Sequence, residues 1–101
     1  MMDDKTLLTF AAKAGGYSHT EYIDGGLVWD PLTDDGDALR LAVKLGMRVE
    51  YNDISGNARA VNIKNSKTLA QCMTSLTTKD PYAATRRAVV RAAAEIGRRM
   101  P

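Results

Sequence analysis

Asp30-Pro31-Leu32-Thr33-Asp34-Asp35-Gly36-Asp37-Ala38-Leu39-Arg40-Leu41-Ala42-Val43-Lys44-Leu45-Gly46-Met47-Arg48-Val49-Glu50-Tyr51-Asn52 changes its hydrophobic period once, and that change decides the fold. Up to Leu45 the apolar residues recur at helical spacing. After Gly46 they alternate strictly: Met47, Val49 and Tyr51 against Arg48, Glu50 and Asn52. A period of 3.6 followed by a period of 2 is a helix that ends and a half-buried strand that begins. The acids at Asp34, Asp35 and Asp37 suit the positive end of the helix dipole, and Asp34 with Asp37 forms a weak capping box. Leu39, Leu41, Ala42, Val43 and Leu45 leave only Asp37, Arg40 and Lys44 as a polar edge. This helix is therefore expected to be the most buried one, with Leu39 in the core.

Working outward on the N-terminal side, His19–Ile23 and Leu27–Trp29 read as two short strands about Asp24-Gly25-Gly26. Asp-Gly and Gly-Gly each supply the positive φ of a tight hairpin, so the register stays open between them. Apolar groups on both faces suggest a sheet covered on both sides. The path from Trp29 through the helix to Met47 then predicts a right-handed crossover between parallel strands. Before the hairpin, Leu7, Phe10, Ala11 and Ala14 mark a helix capped by Asp3 or Asp4 and stopped by Gly15-Gly16.

On the C-terminal side, Asp53–Asn57 turns the chain, and Val61 and Ile63 mark a return strand with Arg59 on their face. Residues 64–79 are ambiguous; the Thr-rich segment from Thr68 to Leu76 reads better as an edge strand than as a short helix. The last helix is capped by Asp80, with Pro81 at its first position. Tyr82, Thr85, Val89, Ala92 and Ile96 form its expected buried stripe. The order α-β-β-α-β-β-(β)-α describes one domain over residues 1–101. Its fold class is α/β (α+β): a three-layer α-β-α sandwich with a four- or five-stranded mixed, antiparallel-rich sheet and helices on both faces.

Two stretches, Trp29–Leu45 and Ala84–Gly97, resemble the phage ABA sandwich family of small phage and prophage proteins. The helix before Gly15-Gly16 fits that family as well, whereas residues 52–79 match no pattern of it. The resemblance implies a sheet packed between helices and a phage or prophage origin. It implies no activity.

Composition narrows the function classes. With 45% hydrophobic and 26% charged residues the chain is an ordinary globular one. No apolar run is long enough to span a bilayer, and the acidic start lacks the pattern of a signal peptide, so no membrane role and a location in the host cytoplasm are expected. One cysteine, Cys72, agrees with a reducing compartment. Net charge is +2, but unevenly spread: residues 1–37 hold two lysines against eight acids, and residues 38–101 hold twelve bases against four acids. Such asymmetry points to a charged partner surface, unless the two halves interleave in space.

Three constellations are candidate sites, each with a plain structural alternative. Arg87, Arg91 and Arg98 share a side of the last helix opposite Val89 and Ala93. They suit forked contacts to carboxylates or phosphates of a partner, or simply form a solvated face on which Arg91 pairs with Glu95. Trp29 with Asp30, Asp34 and Asp35 could line a pocket, or be a core tryptophan followed by a helix cap. A calcium loop with Gly36 at its sixth position would need ligands at Pro31, Thr33, Asp35 and Ala42, and fails; magnesium is not excluded. Finally, His19 is the only histidine, Cys72 the only thiol, and no phosphate-binding glycine loop occurs. No cofactor, no metal and no enzymatic activity are expected. Three functions compete. The first is a phage-encoded accessory protein that binds a host protein or protein–nucleic acid complex, for instance as an inhibitor of an anti-phage defence complex such as CRISPR. The second is a small-ligand or nucleotide-binding domain. The third is an assembly factor acting as a homo-oligomer.

Overall fold

The computed structural model describes residues 3–17, 22–23, 27–62, 67–73 and 80–101. Three helices and two antiparallel sheets make an α+β fold: α1 (Asp4–Gly15), β1 (Tyr22–Ile23), β2 (Leu27–Val28), α2 (Asp35–Lys44), β3 (Met47–Asn52), β4 (Asn57–Asn62), β5 (Thr68–Met73) and α3 (Pro81–Arg98). The segment with the ambiguous reading is a strand as far as it is described.

The helix ends sit where local chemistry puts them. Asp3 accepts the Thr6 N–H at 2.8 Å and starts α1, and Gly16 closes it in the left-handed conformation at φ 74°. Asp34 accepts the Asp37 N–H at 2.7 Å and starts α2, and Gly46 (φ 67°) follows its end. The Asp37 carboxylate does not complete a capping box. It reaches back to the Asp30 N–H at 2.9 Å, which closes the acidic loop on itself. Asp80 accepts the N–H groups of Tyr82 and Ala83 and starts α3 with Pro81 behind it.

Sheet topology departs from expectation. β3, β4 and β5 form one antiparallel sheet in that order, and β1 and β2 form a separate antiparallel pair with Tyr22 opposite Val28 and Ile23 opposite Leu27. Among the described residues β2 pairs only with β1, so the parallel crossover from Trp29 to Met47 is not found. A register shift between Ala60 and Val61 leaves Leu69 as the extra residue of β5.

The layering also differs. Ala58 and Ala60 of β4 are fully buried and face α3: Ala58 clusters with Cys72, Ala84 and Ala88, and Ala60 joins the main core. α2 packs beside α3 and against β3, while α1 packs chiefly on α3. The opposite face of the sheet carries Arg48, Glu50, Asn57, Arg59 and Gln71. Arg59 there pairs with Glu50 at 2.8 Å, and Asn57 donates to Gln71 at 3.1 Å. Among the described residues no helix covers that polar face. The physical reason lies in α3. Ala84, Ala88, Val89, Val90, Ala92, Ala93, Ala94 and Gly97 are all buried, so the helix is small-sided nearly all round. It can therefore take the sheet on one side and α1 on the other. A Cβ on Gly97 would collide with the carbonyl oxygen of Phe10, and would stand 2.8 Å from that carbonyl carbon.

Consequently α3, not α2, is the most buried helix. On α2, Leu41 and Ala42 are buried, but Leu39 is 65% and Val43 72% exposed, which overturns the expectation that Leu39 is core. Tyr82 is likewise exposed and lies outside the buried stripe of α3, whereas Val89 is buried as expected. Along β3 the cover fades from buried Met47 to half-exposed Val49 and Tyr51.

Candidate functional site

The three arginines of α3 do not stand on a free face. Arg87 bonds Asp4 of α1 at 2.7 Å, and its side chain is only 24% exposed. Arg91 donates to the Gln71 carbonyl of β5 at 3.3 Å. Arg98 bonds Glu95 at 2.8 Å, and Arg99 approaches the same carboxylate at 3.8 Å. The expected Arg91–Glu95 pair is thus replaced by Arg98–Glu95. Arg98 holds the Glu95 carboxyl below its ordinary range and is itself raised, chiefly through their shared hydrogen bond.

The second candidate is closed rather than open. Trp29 is 2% exposed and belongs to the main core. Its ring stacks on Tyr17 with centroids 4.9 Å apart, and the Lys44 ammonium lies 4.6 Å over the Tyr17 ring. Among the described residues the buried indole N–H has no hydrogen-bond partner. Each acid of the loop has a structural task. Asp30 accepts the Leu32 N–H, Asp34 caps α2, and Asp35 bonds Arg86 at 2.6 Å. Arg86 also donates to the Leu32 carbonyl, so this one residue pins the loop to α3. The opposite charges of the two chain halves therefore interleave at Asp4–Arg87 and Asp35–Arg86. Among the described residues no group of three or more His, Cys, Asp and Glu side chains could hold a metal. Cys72 is a buried thiol, in no disulfide, within the alanine cluster, and His19 lies outside the described residues. No described helix is long and apolar enough to cross a membrane.

What remains open is a cleft of about 1070 Å³ between β5, α1 and the C-terminal half of α3. Leu7, Leu69 and Ile96 supply apolar floor. Lys67, Arg91 and Arg99 bring positive charge, and among the described residues Glu95 is the one acidic side chain on its lining. Searches against protein-family models, curated proteins and solved structures find no match for this chain. The geometry alone carries the functional reading. Of the residues singled out from sequence, Arg91 lines this cleft and Arg98 sits beside it; Arg87 is spent on α1. Lys67 and Arg99 escaped notice as site residues, because the edge position of β5 and its approach to α3 leave no local signal.

Proposed function

We propose that this chain is a non-catalytic binding protein of phage or prophage origin, allied to the phage ABA sandwich proteins it resembles. It acts on a host protein or protein–nucleic acid complex, and inhibition of a defence complex is the role this reading favours. The observation that carries the reading is the convergence of Lys67, Arg91 and Arg99 on an apolar-floored cleft where Glu95, the one acidic side chain on the lining among the described residues, bonds Arg98 and stands 3.8 Å from Arg99. Such a cleft accepts an acidic group, carboxylate or phosphate, with apolar contact beneath it. Arg98 and Arg99 at the rim steer an acidic partner inward.

The test compares the tagged parent chain with an Arg91→Glu, Arg99→Glu double variant in bacterial lysate, with and without nuclease and at two salt concentrations. A macromolecule that the parent retains at low salt, and that the equally folded variant loses, supports the cleft. Retention of the same species by both chains rejects it.

A further inference from the structure

We propose that β3 is a pairing edge for a second copy of this chain, joined antiparallel about Val49, with α2 of each copy meeting beneath the joined sheets. This rests on the opposite side of the molecule from the basic cleft and does not depend on it.

Among the described residues β3 pairs only with β4, and no other described strand pairs with its outer row of N–H and C=O groups. Two of the usual devices that blunt an edge, proline and a bulge, are missing from it, and its two charges, Arg48 and Glu50, are of opposite sign. β3 runs for six residues without proline, and the register shift lies on the other side of β4.

The order of side chains on β3 selects one register. Met47, Val49 and Tyr51 face the helices, and Arg48 and Glu50 the polar side. Pairing must keep each face continuous, because residues directly opposite point the same way. That leaves pairings centred on a single residue, of which those on Met47, Tyr51 and Asn52 bring at most three residues of each strand together. Centring on Arg48 sets Arg48 against Arg48 of the partner subunit. Centring on Glu50 does the same for the two carboxylates. Centring on Val49 sets Arg48 opposite Glu50 of the partner subunit, twice by symmetry, and Val49 opposite its own copy; Glu50 bonds Arg59 at 2.8 Å and stands 4.0 Å from Arg48 within its own chain, so the second copy's arginine would join an existing ion pair. A two-fold contact must be self-complementary in this way.

The helix side supplies apolar surface at the same edge. Leu39, Val49 and Tyr82 line a groove of about 330 Å³ between α2, β3 and α3, and Ala42 and Val89 form its floor. Leu39, Val43 and Tyr82 are 65%, 72% and 69% exposed. Val43 stands one turn beyond Leu39 on the same face of α2. Oily side chains exposed beside an open strand are what a stable two-fold contact of roughly 1,000 Å² in total would cover.

Sedimentation velocity of the full chain over a range of micromolar concentrations tests this. The parent is expected to form a dimer. Arg48→Glu and Glu50→Arg, each alone, are expected to weaken association about tenfold through like charges across the pair. An equimolar mixture of the two variants is expected to recover it, since each then meets its opposite. Leu39→Arg, at an exposed position, is expected to disperse the dimer with an unchanged far-UV spectrum. A monomeric parent would overturn the proposal and leave the groove to a different protein. A dimer indifferent to both Arg48→Glu and Leu39→Arg, or a variant mixture that stays monomeric, would overturn it equally.

Discussion

Replacing Gly97 by alanine sets two physical effects of opposite sign against each other. Gly97 lies within α3, where alanine is favoured over glycine by about 0.8–1 kcal/mol of helix propensity. By propensity alone the change stabilises. Gly97 also lies directly against the backbone of α1. A Cβ there would overlap the Phe10 carbonyl oxygen, and would stand 2.8 Å from the carbonyl carbon and 3.2 Å from the Phe10 Cα. All three obstacles are backbone atoms, so no side-chain rotation relieves them. The helices must part by an appreciable fraction of an ångström or more. Parting them also opens the seam made by Ala11, Ala12, Ala93 and Ala94, each at most 2% exposed. Overpacking of this kind costs about 1–3 kcal/mol, and the immovable backbone puts Gly97 at the upper end. The net expectation is a loss of about 2 kcal/mol. Urea unfolding followed by far-UV circular dichroism reads this as a lower midpoint at constant slope. Gly36→Ala is the control. Its neighbours are the Arg40 guanidinium and an Asp34 carboxylate oxygen, both able to yield, so its stability is expected to stay within ~0.5 kcal/mol of the parent. If Gly97→Ala matched or exceeded the parent, α1 could not lie against α3 as described.

Further expectations follow from the same contacts. Leu41→Ala removes a fully buried side chain at the junction of α1, α2 and Trp29 and is expected to cost about 2–5 kcal/mol in the same unfolding assay. Asp80→Ala removes the acceptor for two orphan N–H groups at the start of α3 and is expected to cost about 1 kcal/mol. The Asp3 carboxyl lies below its ordinary range because the Thr6 N–H bonds it, and the Glu95 carboxyl lies below its own because Arg98 bonds it. A depressed folded-state value means that this stability is fully present above the unfolded pKa and is lost as pH falls through the folded one. Stability is therefore expected to decline below about pH 4, and the decline should flatten in an Asp3→Asn, Glu95→Gln chain. Cys72 is 1% exposed, so a thiol reagent is expected to label it far more slowly in the folded chain than in urea, and Cys72→Ala should leave biological activity unchanged. Activity lost from a folded Cys72→Ala chain would restore the thiol as a nucleophile.

The elements themselves were legible in the sequence because local chemistry fixes them. Asp3, Asp34 and Asp80 cap helices through their own side chains, Gly16 and Gly46 adopt the positive φ that ends two of them, and the alternation after Gly46 can only be a strand. Which faces are buried was legible only where one large side chain marks them, as at Val89, Leu41 and Met47. It was not legible on β4 or α3, where the packing surface is alanine. Ala58, Ala60, Ala88 and Ala93 carry too little apolar area to stand out in a pattern, yet their smallness lets α3 lie against the sheet and α1 against α3. Among the described residues that close approach stacks the helices on one face, and no helix is found on the other face of the sheet. It also leaves Leu39 and Val43 outside the core.

The site divides in the same way. The surplus of arginine on α3 could be read from the chain, but not what each arginine meets. Arg86 and Arg87 are separated from Asp35 and Asp4 by more than fifty residues of sequence, and only folding brings them into contact. Charge balance along a chain sums over distances that tertiary structure rearranges. The sequence by itself determined where helices and strands begin and end, because capping, turn chemistry and periodicity act within a few residues. Only the tertiary structure decided which charges meet across the molecule, as at Asp4–Arg87 and Asp35–Arg86, and which side chains, at Lys67, Arg91 and Arg99, line an open cleft, because Coulomb interaction and packing act through space rather than along the chain.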